Sequence, residues 1–133
     1  MERVILVVED NPDVLFNIQI TLEANNFKVV TAMNGKEAVK TLIESQTPPD
    51  LIISDIMMPE MDGHEFYQVI SNDPKWKEIP LLFLSALATP DDIRFARILG
   101  VGDYITKPFK EEVLLEMIGK KLTEAQVKVN QSN

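Results

Sequence analysis

The sequence contains no cysteine. That excludes a disulfide framework, thiolate zinc sites, iron–sulfur clusters and cysteine nucleophiles, and it fits a reducing compartment. Histidine occurs once, at His64. Positive charge is scarce: 13 Lys and Arg stand against 21 Asp and Glu, a formal net charge of −8. No Lys/Arg run gathers the few cations, so a phosphate backbone would repel the domain and direct nucleic-acid binding is not expected. Long apolar runs are missing too. The longest mostly apolar stretch, Ile79 to Ala88, is interrupted by Pro80 and Ser85 and is far too short to span a bilayer. Met1-Glu2-Arg3, followed directly by a short apolar run, lacks signal-peptide anatomy. At 133 residues the chain is long enough to bury one core without staples. The expectation is a cytoplasmic, single-domain protein with no membrane partner.

What is present is a rhythm. Five short apolar runs recur at fairly even intervals: Val4 to Val8, Phe27 to Ala32, Leu51 to Ser54, Leu81 to Leu84, and Asp103 to Thr106. Several are continuous rather than alternating, as in strands buried on both faces. The segments between them have helical spacing and marked starts. Asn11-Pro12 offers an N-cap and an N1 proline, Asn34 with Glu37 and Asp62 with Glu65 have the form of capping boxes, and Thr89-Pro90 with Asp92 repeats that logic. Val14, Leu15, Ile18 and Leu22 share one face of the first helix, and the last helix is expected to bury Val113, Leu114 and Ile118 or near neighbours. Strands alternating with helices five times over predict an α/β fold: a five-stranded parallel sheet, doubly wound, with helices on both faces. Residues 1–122 are expected to form the domain. Residues 123–133 turn polar and read as a tail or the start of a linker to another module.

In an open parallel sheet, ligands bind beyond the carboxyl ends of the strands, where strand order reverses. The first run ends in Glu9-Asp10, the third in Asp55, the fourth in Ser85 and the fifth in Thr106-Lys107-Pro108. The second ends blandly in Met33-Asn34, as an edge strand could. Three carboxylates, a hydroxyl and an ammonium are thus aimed at one mouth. Three crowded carboxylates repel, and a divalent cation resolves the conflict. An oxygen-only donor set suits Mg²⁺ or Mn²⁺ rather than zinc. A carboxylate, a metal and an ammonium facing one point suit phosphoryl transfer.

Four segments make the pattern specific: Val7-Val8-Glu9-Asp10-Asn11, Asp55-Ile56-Met57-Met58-Pro59-Glu60-Met61-Asp62-Gly63, Ser85-Ala86, and Asp103-Tyr104-Ile105-Thr106-Lys107-Pro108-Phe109. In these the chain resembles the response-regulator receiver domains of two-component signalling, the CheY-like superfamily, over about residues 1–122. The resemblance implies a flavodoxin-like (βα)5 sandwich. It implies a signalling switch, not an enzyme, that assists its own phosphorylation and dephosphorylation. Asp55 would be the phosphoacceptor, taking a phosphoryl group from a phosphohistidine of a sensor kinase or phosphotransfer protein. Glu9, Asp10, Asp55 and the Met57 backbone carbonyl would bind Mg²⁺. Lys107 would pair with Asp55 and then with the phosphoryl group. Ser85 would donate its hydroxyl to a phosphoryl oxygen, and Tyr104 would turn into the space Ser85 leaves. The bond before Pro108 would be cis. Family members dock the histidine-bearing helix bundle near the first helix, where Phe16 and Ile20 lie roughly opposite the core face, so these two are expected partner contacts.

Departures from the family are mild: Gly102 stands where an acidic residue is common, and Val101 where alanine is. Met57 and Leu87, each two residues past a site residue, are bulky and apolar. They are expected to hinder hydrolytic water and prolong the phosphorylated state. Two other functions compete: a Mg²⁺-dependent aspartyl-phosphate phosphohydrolase, and a phosphorylation-independent receiver-like binding module. Other motifs fail. Asn34-Gly35-Lys36-Glu37 lacks the rest of a P-loop, and His64-Glu65 has Gln68 where a zincin helix needs its second histidine. His64 is expected on the surface at a helix start. Leu115, Ile118, Leu122, Ala125 and Val129 fall at alternating spacings of three and four, with Gly119 among them. That is either the core face of the last helix with a frayed end, or a helical linker to an output module or dimer partner.

Overall fold

The computed structural model describes residues 2–86, 90–91, 94 and 104–132, with side chains to residue 127. The elements run β1 (Val4–Val8), α1 (Pro12–Ala24), β2 (Lys28–Ala32), α2 (Gly35–Glu44), β3 (Leu51–Asp55), α3 (Gly63–Ser71), β4 (Leu81–Ser85), β5 (Tyr104–Thr106) and α4 (Glu111–Ser132). The five strands form one parallel sheet in the order β2-β1-β3-β4-β5. The bland-ended strand β2 is an edge, and the order reverses between β1 and β3. Of the fourth helix start, Thr89 and Asp92 lie outside the described residues, as do Leu87, Val101, Gly102 and Asp103. Among the described residues no helix is long and apolar enough to cross a membrane.

Each strand serves two cores because successive side chains point to opposite faces. Leu6, Val8, Ile52 and Phe83 pack with Ala38 and Leu42 of α2, Phe66 and Ile70 of α3, and Trp76. Ile5, Val7, Ile53, Leu82 and Leu84 pack with Leu15, Ile18 and Leu22 of α1 and Leu114, Ile118 and Leu122 of α4. This double burial is why the strand sequences are continuous apolar runs.

Local chemistry sets the helix ends. The Asn11 side chain accepts from the amides of Asp13 and Val14 at 2.9 and 3.2 Å, with Pro12 following as the first helical residue. Asp62 and Glu65 complete both halves of a capping box, whereas Asn34 makes one half, accepting from the Glu37 amide at 2.8 Å. At the end of α1, Asn26 takes a left-handed φ of 69°. The Phe27 amide bonds back to Leu22 and the Asn26 amide to Glu23, a Schellman closure that turns the chain into β2.

Two expectations need correction. Val113 is exposed; the buried stripe of α4 is Leu114, Ile118 and Leu122, because the four-residue step keeps these on the side facing the sheet. His64 is half-buried rather than a surface residue. It sits one turn before Tyr67, and both rings face Phe83. Beyond Leu122 the helix continues unbroken to Ser132. Ala125 and Gln126 there line a groove with Pro48, Pro49 and Pro80, at the end of the sheet opposite the carboxyl ends of the strands.

Candidate functional site

Glu9 follows β1, Asp55 ends β3, Ser85 ends β4, and Lys107 follows β5. Parallel strands in this order bring all four ends to one rim. Lys107 Nζ donates to Glu9 Oε1 and, at 2.9 Å, to Asp55 Oδ2. The second oxygen of each carboxylate is also held: the Met57 amide donates to Asp55 Oδ1 at 3.2 Å, and the Asn11 amide to Glu9 Oε2 at 3.0 Å. Ligand oxygens of Glu9, Asp10 and Asp55 lie within 4.8 Å of one another. Glu9, Asp55 and Ser85 are buried, and Asp10 is half-buried. The Lys107 amide donates to the Ser85 carbonyl at 2.8 Å, and the Lys107–Pro108 peptide bond is cis.

The charges interact strongly here. Burial pushes the Glu9 carboxyl up to about 7, against the downward pull of the Lys107 hydrogen bond and the Asn11 amide. Burial pulls the Lys107 ammonium down, but its bonds to Glu9 and Asp55 outweigh this and hold it above its ordinary value. Lys107 therefore stays charged. One ammonium against three clustered carboxylates leaves a surplus of negative charge when all three ionise. An oxygen-only set with that surplus fits a hard divalent cation.

The expected side chains of Glu9, Asp10, Asp55 and Lys107 lie together, and three supports were not expected from the sequence. Lys107 was paired with Asp55 alone, yet it bridges to Glu9 as well. The Asn11 amide grips Glu9 while the Asn11 side chain caps α1. Gly63 was read as part of a motif without a role. A Cβ on Gly63 would stand 2.5 Å from the Asp55 carbonyl oxygen and 2.8 Å from the Ile56 Cα, so its absence lets α3 start against the backbone of residue 55. The Gly63 amide also donates to the Ile56 carbonyl at 2.8 Å. A glycine at the first position of a helix was the available signal.

Other expected residues fall around this centre. Tyr104 is half-buried, paired in register with Phe83. The Met57 side chain is exposed. Phe16 and Ile20 are exposed at 60% and 49%. They do not line the groove of about 430 Å³ beside Lys107, whose walls include Val14, Asn17, Thr21, Phe109 and Glu111.

Comparison with known proteins agrees with this geometry. The family model for the response regulator receiver domain matches residues 5–119. The chain is 38% identical over 114 residues to an uncharacterized 14.6 kDa protein in the sodA1 3′ region of Leptolyngbya boryana, covering 86% of each. It is 34% identical over 120 residues to Response regulator SaeR of Staphylococcus aureus, covering 90% of this chain but only 50% of that longer protein. Among solved structures it resembles the receiver domain of the sensor histidine kinase PA1611 from Pseudomonas aeruginosa PAO1, which has a magnesium ion coordinated in its active-site cleft. That match has a TM-score of 0.83 and 27% identity, covering 92% of this chain and 99% of that one. The chain belongs to the response regulator receiver domain family, the phosphoacceptor signalling modules of two-component systems.

Proposed function

We propose that Asp55 is the phosphoacceptor of a Mg²⁺-dependent switch. One carboxylate oxygen attacks the phosphorus of a phosphohistidine on a sensor kinase or phosphotransfer protein. A P–O bond forms as the P–N bond breaks, and the imidazole leaves with the electron pair and is protonated. The observation that carries this reading is the convergence of Lys107 on both Glu9 and Asp55, with Asp10 completing the oxygen cluster.

Glu9, Asp10, Asp55 and the Met57 carbonyl would hold the Mg²⁺ ion, which supplies positive charge to offset the transferring phosphoryl oxygens. The magnesium in the PA1611 receiver domain supports this ion for the present chain. The Asn11 and Met57 amides fix the two carboxylates in place, so orientation costs little at the moment of reaction. Lys107 then donates to a phosphoryl oxygen in place of the Asp55 carboxylate it now holds. The Ser85 hydroxyl turns to a second phosphoryl oxygen. The new phosphate brings about two negative charges at neutral pH. That charge draws Ser85 and Lys107 inward, and Tyr104 follows into the vacated space. Phe16 and Ile20 contact the phosphodonor, residues 1–122 act as the receiver unit, and 123–133 begin a connector to an output module or target.

Mass spectrometry after incubation with acetyl phosphate and Mg²⁺ tests the central step. The expected result is a single phosphate adduct, absent in Asp55→Asn. No adduct would indicate a phosphorylation-independent binding module. Steady turnover of free phosphate esters would indicate a phosphohydrolase. For the partner surface, Phe16→Ser with Ile20→Ser should slow transfer from the kinase and spare acetyl phosphate. Equal loss with both donors defeats that assignment.

A further inference from the structure

His64 belongs to none of the roles above, yet its position is tightly determined. It is the second residue of α3, whose first turn is pinned at three points. The Asp62 carboxylate accepts from the Glu65 amide at 2.9 Å, the Glu65 carboxylate accepts from the Asp62 amide at 3.3 Å, and the Gly63 amide donates to the Ile56 carbonyl at 2.8 Å. Gly63 itself lies against the Asp55 carbonyl, closely enough that a Cβ would not fit. His64 is thus carried on a turn in direct contact with the backbone of the phosphoacceptor.

From there its ring reaches the sheet. The imidazole meets Phe83 edge to face, with ring centroids 5.6 Å apart and planes at 88°. Tyr67 packs on Phe83 as well, at 6.2 Å and 59°. Phe83 pairs in register with Tyr104 of β5, and both belong to the same apolar cluster. Phe83 and Ser85 are two residues apart on β4 and so point to the same face of the sheet. One contiguous line therefore runs from the Asp55 backbone through Gly63 and His64 to Phe83, and ends at the residues read above as the switch.

We propose that His64 is a positioning residue for that switch: pressed edge-on against Phe83, it sets the resting orientation of Tyr104 and ties it to the turn that follows Asp55. The inference rests on the reading of Tyr104 as the moving residue. An aromatic contact made in one state and lost in the other biases the population by at most roughly two- to tenfold. Removing the imidazole opens space beside Phe83, which Phe83 and Tyr104 then share. Replacing it by another planar ring keeps the contact.

The test is NMR of ring-labelled tyrosine in the full chain, before and after phosphorylation with acetyl phosphate and Mg²⁺. Tyr104→Phe assigns the signal against Tyr67. In the wild type the Tyr104 ring signal should move on phosphorylation. If it does not move while Asp55 is modified, the switch reading itself falls, and this inference with it. In His64→Ala the resting signal should shift towards the phosphorylated position by at most roughly two- to tenfold in population. His64→Phe should restore the wild-type resting signal. A His64→Ala protein whose Tyr104 signals match the wild type in both states overturns the inference and leaves the switch standing. Should His64→Ala fail to fold, His64→Gln replaces it, with the same two outcomes.

Discussion

The same substitution at two glycines should have opposite effects. At Gly63 a new Cβ would sit 2.5 Å from the Asp55 carbonyl oxygen and 2.8 Å from the Ile56 Cα, both backbone atoms that cannot swing aside. At Gly119, in the middle of α4 and exposed, nothing lies within 4 Å of the new atom. Overpacking of this kind costs about 1–3 kcal/mol. Alanine recovers at most about 1 kcal/mol over glycine inside a helix, and less at the first position where Gly63 stands. Gly63→Ala should therefore lose about 2 kcal/mol net, and Gly119→Ala should gain up to about 1 kcal/mol. For 133 residues, an unfolding entropy of about 2.1 cal/mol/K per residue converts these to a Tm about 7 °C lower and up to about 4 °C higher. Thermal melts followed by circular dichroism read both values. The strain at Gly63 is relieved by moving the backbone of residue 55, so acetyl phosphate should label Gly63→Ala more slowly and Gly119→Ala at the wild-type rate. A Gly63→Ala protein that melts at or above the wild type, or a Gly119→Ala protein that falls by a similar amount, refutes the packing argument.

Other perturbations probe the site and its frame. Mg²⁺ at ten times its dissociation constant should stabilise the protein by about 1.4 kcal/mol, or about 5 °C in Tm. EDTA should reverse the shift and Asp10→Ala should abolish it; a Tm indifferent to Mg²⁺ would remove the metal from the account. Asn11→Ala removes the acceptor for the Asp13 and Val14 amides and should cost about 1 kcal/mol by urea titration. The backbone amide that grips Glu9 survives that change, so Mg²⁺ affinity should hold within about twofold, as expected for separable contributions. Met57→Ala should shorten the lifetime of the acyl phosphate, because the exposed side chain at the mouth no longer obstructs water. An unchanged decay rate would rule Met57 out as the shield.

The alternation of elements was legible because it is written in local periodicity. Continuous runs such as Leu51 to Ile53 fit strands buried on both faces, and Asn11, Asn34 and Asp62 mark helix starts with side chains that bond within three residues. The polar residues ending four of the runs could be listed from the chain alone, and the parallel topology then required them to share a rim. Contacts across the fold were less legible. The link from Lys107 to Glu9 spans 98 residues, and no local pattern says which of two buried carboxylates an ammonium chooses. His64 looked like a surface residue because a helix start usually faces solvent. Val113 looked buried because apolar character alone does not say which side of a helix meets the sheet. Phe16 and Ile20 were rightly expected to be exposed, but only the packing of α1 beside the β5–α4 turn put the groove at Lys107 on another side of that helix. Backbone hydrogen bonding and caps act over a few residues, so sequence spacing determines them. Strand order, helix rotation and the meeting of distant charges depend on how whole elements pack, and those only the tertiary structure decided.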